Sequence, residues 1–132
     1  MKFILFVLIS LCYSVQSFSQ TQLEMNESAR TEFLRADKEL NSIYQKMLKD
    51  NAADTIFINN LKTAQRAWIQ FRDAEMKMKY PEREDGFYGS AAPMCWNIYL
   101  KDLTTERIRT LKQWVDGIEE GDVCGGSIPV KN

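Results

Sequence analysis

The chain has no histidine. That absence excludes a Ser-His-Asp or Cys-His catalytic arrangement, imidazole ligation of zinc and a histidine general base. Charge of one sign is lacking too: 17 Lys and Arg against 18 Asp and Glu leave a net charge of -1, too small a bias to imply nucleic acid or an anionic membrane as partner. No Gly-rich phosphate loop, nucleophile elbow or cluster of metal-ligating residues is present. Asp73 and Glu75 offer a carboxylate pair, but residues two apart on a helix point about 200° apart and cannot flank one glycosidic bond. The sequence therefore predicts no catalytic residue, no metal and no cofactor. Useful β-alternation, internal repeats and low-complexity tracts are also missing.

Long hydrophobic runs are scarce, with one exception at the N-terminus. Lys2, the apolar run from Phe3 to Val15 and then Gln16-Ser17-Phe18-Ser19 read as the charged start, hydrophobic middle and small-residue exit of a secretory signal peptide. The run is short for a membrane span. Cleavage is expected after Ser19, leaving residues 20-132 as one exported domain, periplasmic or secreted. Lipid attachment is not expected, because Cys12 lies deep in the apolar run behind Leu11 rather than behind a small residue. Loss of Lys2 moves the net charge from -1 to -2.

Three cysteines are few, and removing the leader leaves Cys95 and Cys124. An even count in an exported domain favours a disulfide. Closing a loop of that length would stabilise the domain by about 3 kcal/mol in the chain-entropy treatment. Two free thiols are the alternative.

What is present is helical periodicity. From Gln22 to Lys49, Met25, Ala29, Phe33, Ala36, Leu40, Ile43, Tyr44 and Met47 recur at intervals of three and four, with no glycine or proline between them. Asn51 to Asp54 forms a polar break, and Asp54 suits the N-cap of a second helix. That helix is expected to turn Phe57, Leu61, Ala64, Trp68, Phe71 and Ala74 inward and to end near Lys79, because Pro81 disfavours helical geometry at Tyr80. Pro81 to Gly89 is a charged, turn-forming loop. A third helix begins at Ser90 or Ala91, tolerates Pro93 in its first turn and buries Ile98, Leu100, Leu103, Ile108, Leu111, Val115 and Ile118 before Gly117 or Gly121 stops it. The prediction is all-α: three long helices in an antiparallel hairpin-like bundle with an irregular C-terminal tail.

Within the second helix, Ala64 to Glu75 carries two overlapping rows: Trp68, Phe71 and Glu75 on one, Gln65, Trp68 and Arg72 on the other. Arg72 beside Trp68 is either a structural contact or a recognition site. The order Leu40-Asn41 with Tyr44, Ala64-Gln65-Arg66-Ala67-Trp68, Arg72-Asp73-Ala74-Glu75, Gly89-Ser90 and Leu103-Thr104 with Arg107 and Leu111 resembles the lysozyme inhibitor LprI N-terminal domain family, from about Gln22 to Trp114. The resemblance implies a small, exported, helical bacterial protein and lysozyme, or another envelope protein, as partner. Many members have cysteine where Ser28 and Met76 stand here, and often at the position of Tyr99. Against that pattern the remaining bridge is expected between Cys95 and Cys124, folding the tail back along the third helix.

The shared polar residues Asn41, Tyr44, Gln65, Arg72, Asp73, Thr104 and Arg107, with Trp68, are read first as a hydrogen-bond network that fixes helix packing, Arg72 or Arg107 pairing with Glu75, Asp73 or Asp37. Stacking of Arg72 on Trp68 suits that role. For inhibition of a basic enzyme the candidates are acidic or aromatic surface residues: Glu82, Glu84, Asp85 and Tyr88 in the loop, and Glu119, Glu120 and Asp122 near the tail. Ordinary solvated charge is the plainer reading of both segments. A non-enzymatic envelope structural or stress-related protein is the alternative function.

Overall fold

Helix formers placed at three- and four-residue spacing produce three helices. The computed structural model describes the backbone of residues 2–131 and the side chains of residues 20–131. The side chains of the expected leader, Cys12 included, lie outside the described residues. α1 spans Lys2–Asp50, α2 Thr55–Lys79 and α3 Ala92–Asp116. α1 begins earlier than the periodicity predicts, since no proline or glycine occurs anywhere in its sequence to stop it. The expected cleavage point after Ser19 therefore falls inside a continuous helix.

The breaks between helices have specific chemistry. Asn51 turns its side-chain amide back to the carbonyl of Met47 at 2.9 Å, closing α1. The Asp54 carboxylate then accepts from the Phe57 N–H at 2.9 Å and caps α2. α2 ends at Lys79 before Pro81, and Pro93 lies in the first turn of α3. Gly117, at φ 74°, ends α3 with its N–H on the carbonyl of Gln113, a backbone conformation that L side chains rarely adopt.

Consecutive helices run antiparallel, so α1 and α3 run parallel. Asn26 donates to the carbonyl of Ser90 at 3.3 Å, and Lys101 pairs with Glu32 at 2.9 Å further along the same two helices. These two helices approach closely along much of their length, while α2 stands further off. Ala29 and Thr104 are buried small side chains, which allow close backbones. Thr104 is 0% exposed, and its hydroxyl is satisfied by donating to the carbonyl of Leu100 at 2.7 Å. The main core, Leu40, Met47, Leu61, Ile108 and Leu111, lies toward the end where α1 stops, α2 starts and α3 stops.

α2 turns a different face inward than its aromatic pattern predicts. Ala64 and Ala74 are exposed and Phe71 is 53% exposed, whereas Gln65 and Met76 are buried. The inward row is Leu61, Gln65, Trp68, Arg72 and Met76, spaced four, three, four and four. Burial of a polar residue on that row is tolerated because Arg107 of α3 donates to Gln65. Ile98 on α3 and Met25 on α1, both expected inside, are also exposed.

The expected Cys95 to Cys124 disulfide is corrected by the structure, in which both thiols are free. Cys95 sits in the first turn of α3, and about 30 Å of helix separates it from the helix end. The tail does not run back along that helix. It folds on itself at the C-terminal end: the Ile118 N–H donates to the Pro129 carbonyl at 2.9 Å, Lys131 N–H donates to the Ile118 carbonyl at 2.8 Å, and Trp114 Nε1 donates to Ser127 Oγ at 3.0 Å. Those contacts hold Cys124 at the wrong end of the helix. Among the described residues no helix is long and apolar enough to cross a membrane.

Candidate functional site

The inward row of α2 meets α3 around one indole ring. The Arg72 guanidinium lies 5.3 Å from the Trp68 ring centroid, and that of Arg107 lies 6.0 Å from it. Arg72 is held in place by Asp73, which accepts from Nε at 3.0 Å and Nη2 at 2.8 Å. Arg107 Nε donates to Gln65 Oε1 at 3.1 Å. One turn further along α2, Glu75 Oε2 accepts from the Tyr99 hydroxyl at 3.2 Å. Burial together with the Glu75 carboxylate raises the Tyr99 phenol above its ordinary value.

Four of the eight expected network residues thus converge between helices: Gln65, Trp68, Arg72 and Arg107, with Asp73 holding Arg72 from the exposed side. The others do not join them. Asn41 bonds Asp37 within α1 at 3.2 Å, Thr104 bonds its own helix, and Tyr44 packs against the apolar core. Among the described residues no carboxylate pairs with Arg107. Its Nη2 is buried without a hydrogen-bond partner, and burial pushes the guanidinium below its usual pKa.

A cavity of about 400 Å³ opens where α2 stands away from α3, on the side of α2's first turns. Phe57, Leu61, Leu111 and Trp114 supply apolar wall, and Arg107 and Ser127 polar wall. The sequence patterns did not point to this cavity, because its lining is drawn from three helices and the tail.

The loop between α2 and α3 lies at the opposite end of α2. Its conformation is fixed by the Tyr88 hydroxyl donating to the Pro81 carbonyl at 2.7 Å, and by backbone bonds from Phe87 to Glu84 and from Gly89 to Gly86. Tyr88 meets Tyr80 edge-on at 5.7 Å, and Tyr80 meets Trp96 at 5.5 Å. Phe87 packs against Tyr88, with the Arg83 guanidinium 5.8 Å from its ring, yet is 60% exposed. Glu82, Glu84, Asp85 and Tyr88 are all on the surface. Phe87 was not singled out from sequence, although an aromatic pair following Gly86 in a charged loop was a visible signal.

The tail acids are arranged differently. Glu119 is engaged by Lys131 at 2.6 Å, which lowers its carboxyl pKa, and Asp122 accepts from the Cys124 N–H. Glu120 is exposed. Among the described residues no group of three or more acidic or cysteine side chains is placed to hold a metal ion.

Fold and site together define a small all-α protein whose marked residues lie at a helix interface and in an exposed loop. The sequence matches the family Lysozyme inhibitor LprI over residues 12–111, and the chain belongs to that family. It is also 33% identical over 110 residues to an uncharacterized protein of Rhizobium meliloti (strain 1021), covering 75% of this chain and 77% of that protein. No solved structure matches.

Proposed function

We propose that this chain is an exported, non-enzymatic inhibitor that binds lysozyme through the loop between α2 and α3. Residues 1-19 act as its signal peptide, and the domain works in the periplasm or outside the cell. The supporting observation is the loop itself: an exposed aromatic tip, Phe87, with acidic side chains Glu82, Glu84 and Asp85 around it, held by internal bonds. An exposed ring within a charged rim is the composition of a binding hot spot. Fixing the loop before contact reduces the ordering cost on association, and its acidic rim steers it toward a basic enzyme. The Gln65, Trp68, Arg72 and Arg107 contacts position the loop's two supporting helices. Glu119, already paired with Lys131, is the weaker contact candidate.

The test is a lysozyme turbidity assay with the purified mature domain. Wild type is expected to slow lysis, and a Glu82→Gln, Glu84→Gln, Asp85→Asn, Phe87→Ala variant is expected to lose at least about tenfold in potency. Absence of inhibition across a broad excess rejects the function. Unchanged inhibition by the variant rejects the loop as the contact.

A further inference from the structure

α2 carries apolar side chains on two nearly opposite faces. One is the inward row of Leu61, Trp68 and Met76. On the other, Ile56, Phe71 and Met78 are 75%, 53% and 70% exposed, and the positions between them on that face, Asn60, Thr63, Ala67 and Ala74, are exposed as well. In a chain with 27% charged residues this face holds no charge over its whole length, while Lys62, Arg66, Asp73 and Lys77 lie along one side of it. The Thr63 hydroxyl is already satisfied, donating to the carbonyl of Asn59 at 2.9 Å. An amphipathic helix ordinarily turns a charged or polar face to solvent. An uncharged centre beside a charged margin is instead the anatomy of a protein interface.

The spacing along the face points to what covers it. Its positions follow intervals of 4, 3, 4, 4, 3 and 4, a series that reads the same in both directions about Ala67. Laid antiparallel on a second α2, Ile56 falls opposite Met78, Asn60 opposite Ala74, Thr63 opposite Phe71, and Ala67 opposite its own copy. A twofold contact needs this self-complementarity. Small side chains at the centre let the two backbones approach, and Phe71 meets the smaller Thr63. The face is about 34 Å long and about 10 Å wide, on the order of 350 Å² in projection. That is well short of the accessible area of about 800 Å² per partner in a standard interface, and so fits a transient dimer rather than a permanent one.

We propose that α2 pairs with α2 of a second copy of this chain, antiparallel and centred on Ala67, as a weak, concentration-dependent dimer. Ile56 also borders the cavity of about 400 Å³, so Met78 of the second copy comes to rest beside that opening. The two α2 to α3 loops lie at the outer ends of the pair and stay accessible. The pairing does not rest on lysozyme binding.

The experiment is sedimentation equilibrium on the processed chain. A monomer–dimer equilibrium is expected, with dimer prevailing before about 1 mM. Ala67→Glu sets two like charges on the twofold axis and is expected to weaken association by about a hundredfold, with unchanged helical circular dichroism because the site is exposed. Phe71→Ser is expected to weaken it by about tenfold. Direction is read by oxidation in a chain carrying Cys95→Ser and Cys124→Ser: Ala67→Cys is expected to form a covalent dimer and Thr63→Cys, about 12 Å from its copy along the axis, is not. A chain that stays monomeric to about 1 mM overturns the proposal. So does a dimer unaltered by both Ala67→Glu and Phe71→Ser, or equal cross-linking through Thr63→Cys.

Discussion

The two ends of the bundle use their aromatic side chains differently. At the end carrying the tail, Phe57, Trp68 and Trp114 lean on an aliphatic core of Leu40, Met47, Leu61, Ile108 and Leu111. At the loop end, Tyr80, Phe87, Tyr88 and Trp96 pack mainly on each other, at centroid separations of 5.0–5.7 Å, and stay partly in water. Rings in the first group remove surface from water and hold the fold together. Rings in the second group shape a loop without closing a core. Stability is therefore concentrated at the tail end, and the exposed, pre-shaped surface at the loop end. A domain of this size can tolerate such a division because the loop's geometry is set by local hydrogen bonds.

The comparison breaks most readily at Leu111. Leu111→Ala is expected to lower unfolding stability by about 2–5 kcal/mol, whereas Phe87→Ala at the loop tip stays within about 0.5 kcal/mol. Urea denaturation of the two variants measures both, and equal losses would abolish the distinction between the ends. A smaller effect is expected from Gly117→Ala. At φ 74° the new Cβ would lie 2.9 Å from the Pro129 carbonyl oxygen, so helix end and tail cannot both keep their places. A loss of about 1–2 kcal/mol is expected, with faster amide exchange at Ile118 and Lys131. Unchanged exchange there would mean that the tail contributes nothing to the tail end's stability.

The smallest effect tests the span between the two ends. Lys101 lowers the Glu32 carboxyl pKa through its hydrogen bond and charge, and Glu32 raises that of Lys101 in return. A depressed carboxyl contributes stability in full above its ordinary unfolded value and loses it as pH falls through the lower folded value. The raised amine contributes in full below the ordinary lysine value and loses it as pH rises through the higher folded value. Both groups are solvated, so the contribution is slight. Glu32→Gln is expected to flatten the acid limb of the stability profile a little and to leave neutral stability nearly unchanged. A large change at neutral pH would show that this exposed pair carries much of the α1 to α3 association.

Much of the architecture was legible because its signals are local. The Asp54 cap, the stop before Pro81, Pro93 in the first turn of α3 and the Gly117 terminator each depend on a few adjacent residues. The inward face of α2 was ambiguous for a physical reason: Trp68 belongs to both of its rows, and only the partner residue Arg107 decides that Gln65 is buried while Phe71 faces water. The cysteines misled because an even count says nothing about distance. The length of α3 between them, and a tail bonded to the helix end, keep the thiols apart. Among the candidate site residues, the placement of Arg72 beside Trp68 was visible from the motif, since it follows a helical offset, whereas the approach of Arg107 to the same ring depends on how α3 packs. The unpaired Nη2 of Arg107 and the cavity beside it were not visible there.

The amino-acid sequence by itself determined three helices, the breaks between them at the caps and breakers, the acidic character of the connecting loop and the want of any histidine-based chemistry. Those properties follow from residue type and spacing along one chain. Only the tertiary structure decided that α1 and α3 lie close while α2 stands off, that Phe87 is left exposed in the loop, and that Arg107 reaches Gln65 while its Nη2 is buried without a hydrogen-bond partner. Such outcomes depend on which side chains from distant segments share one space, and burial and hydrogen-bond satisfaction are settled only when the helices come together.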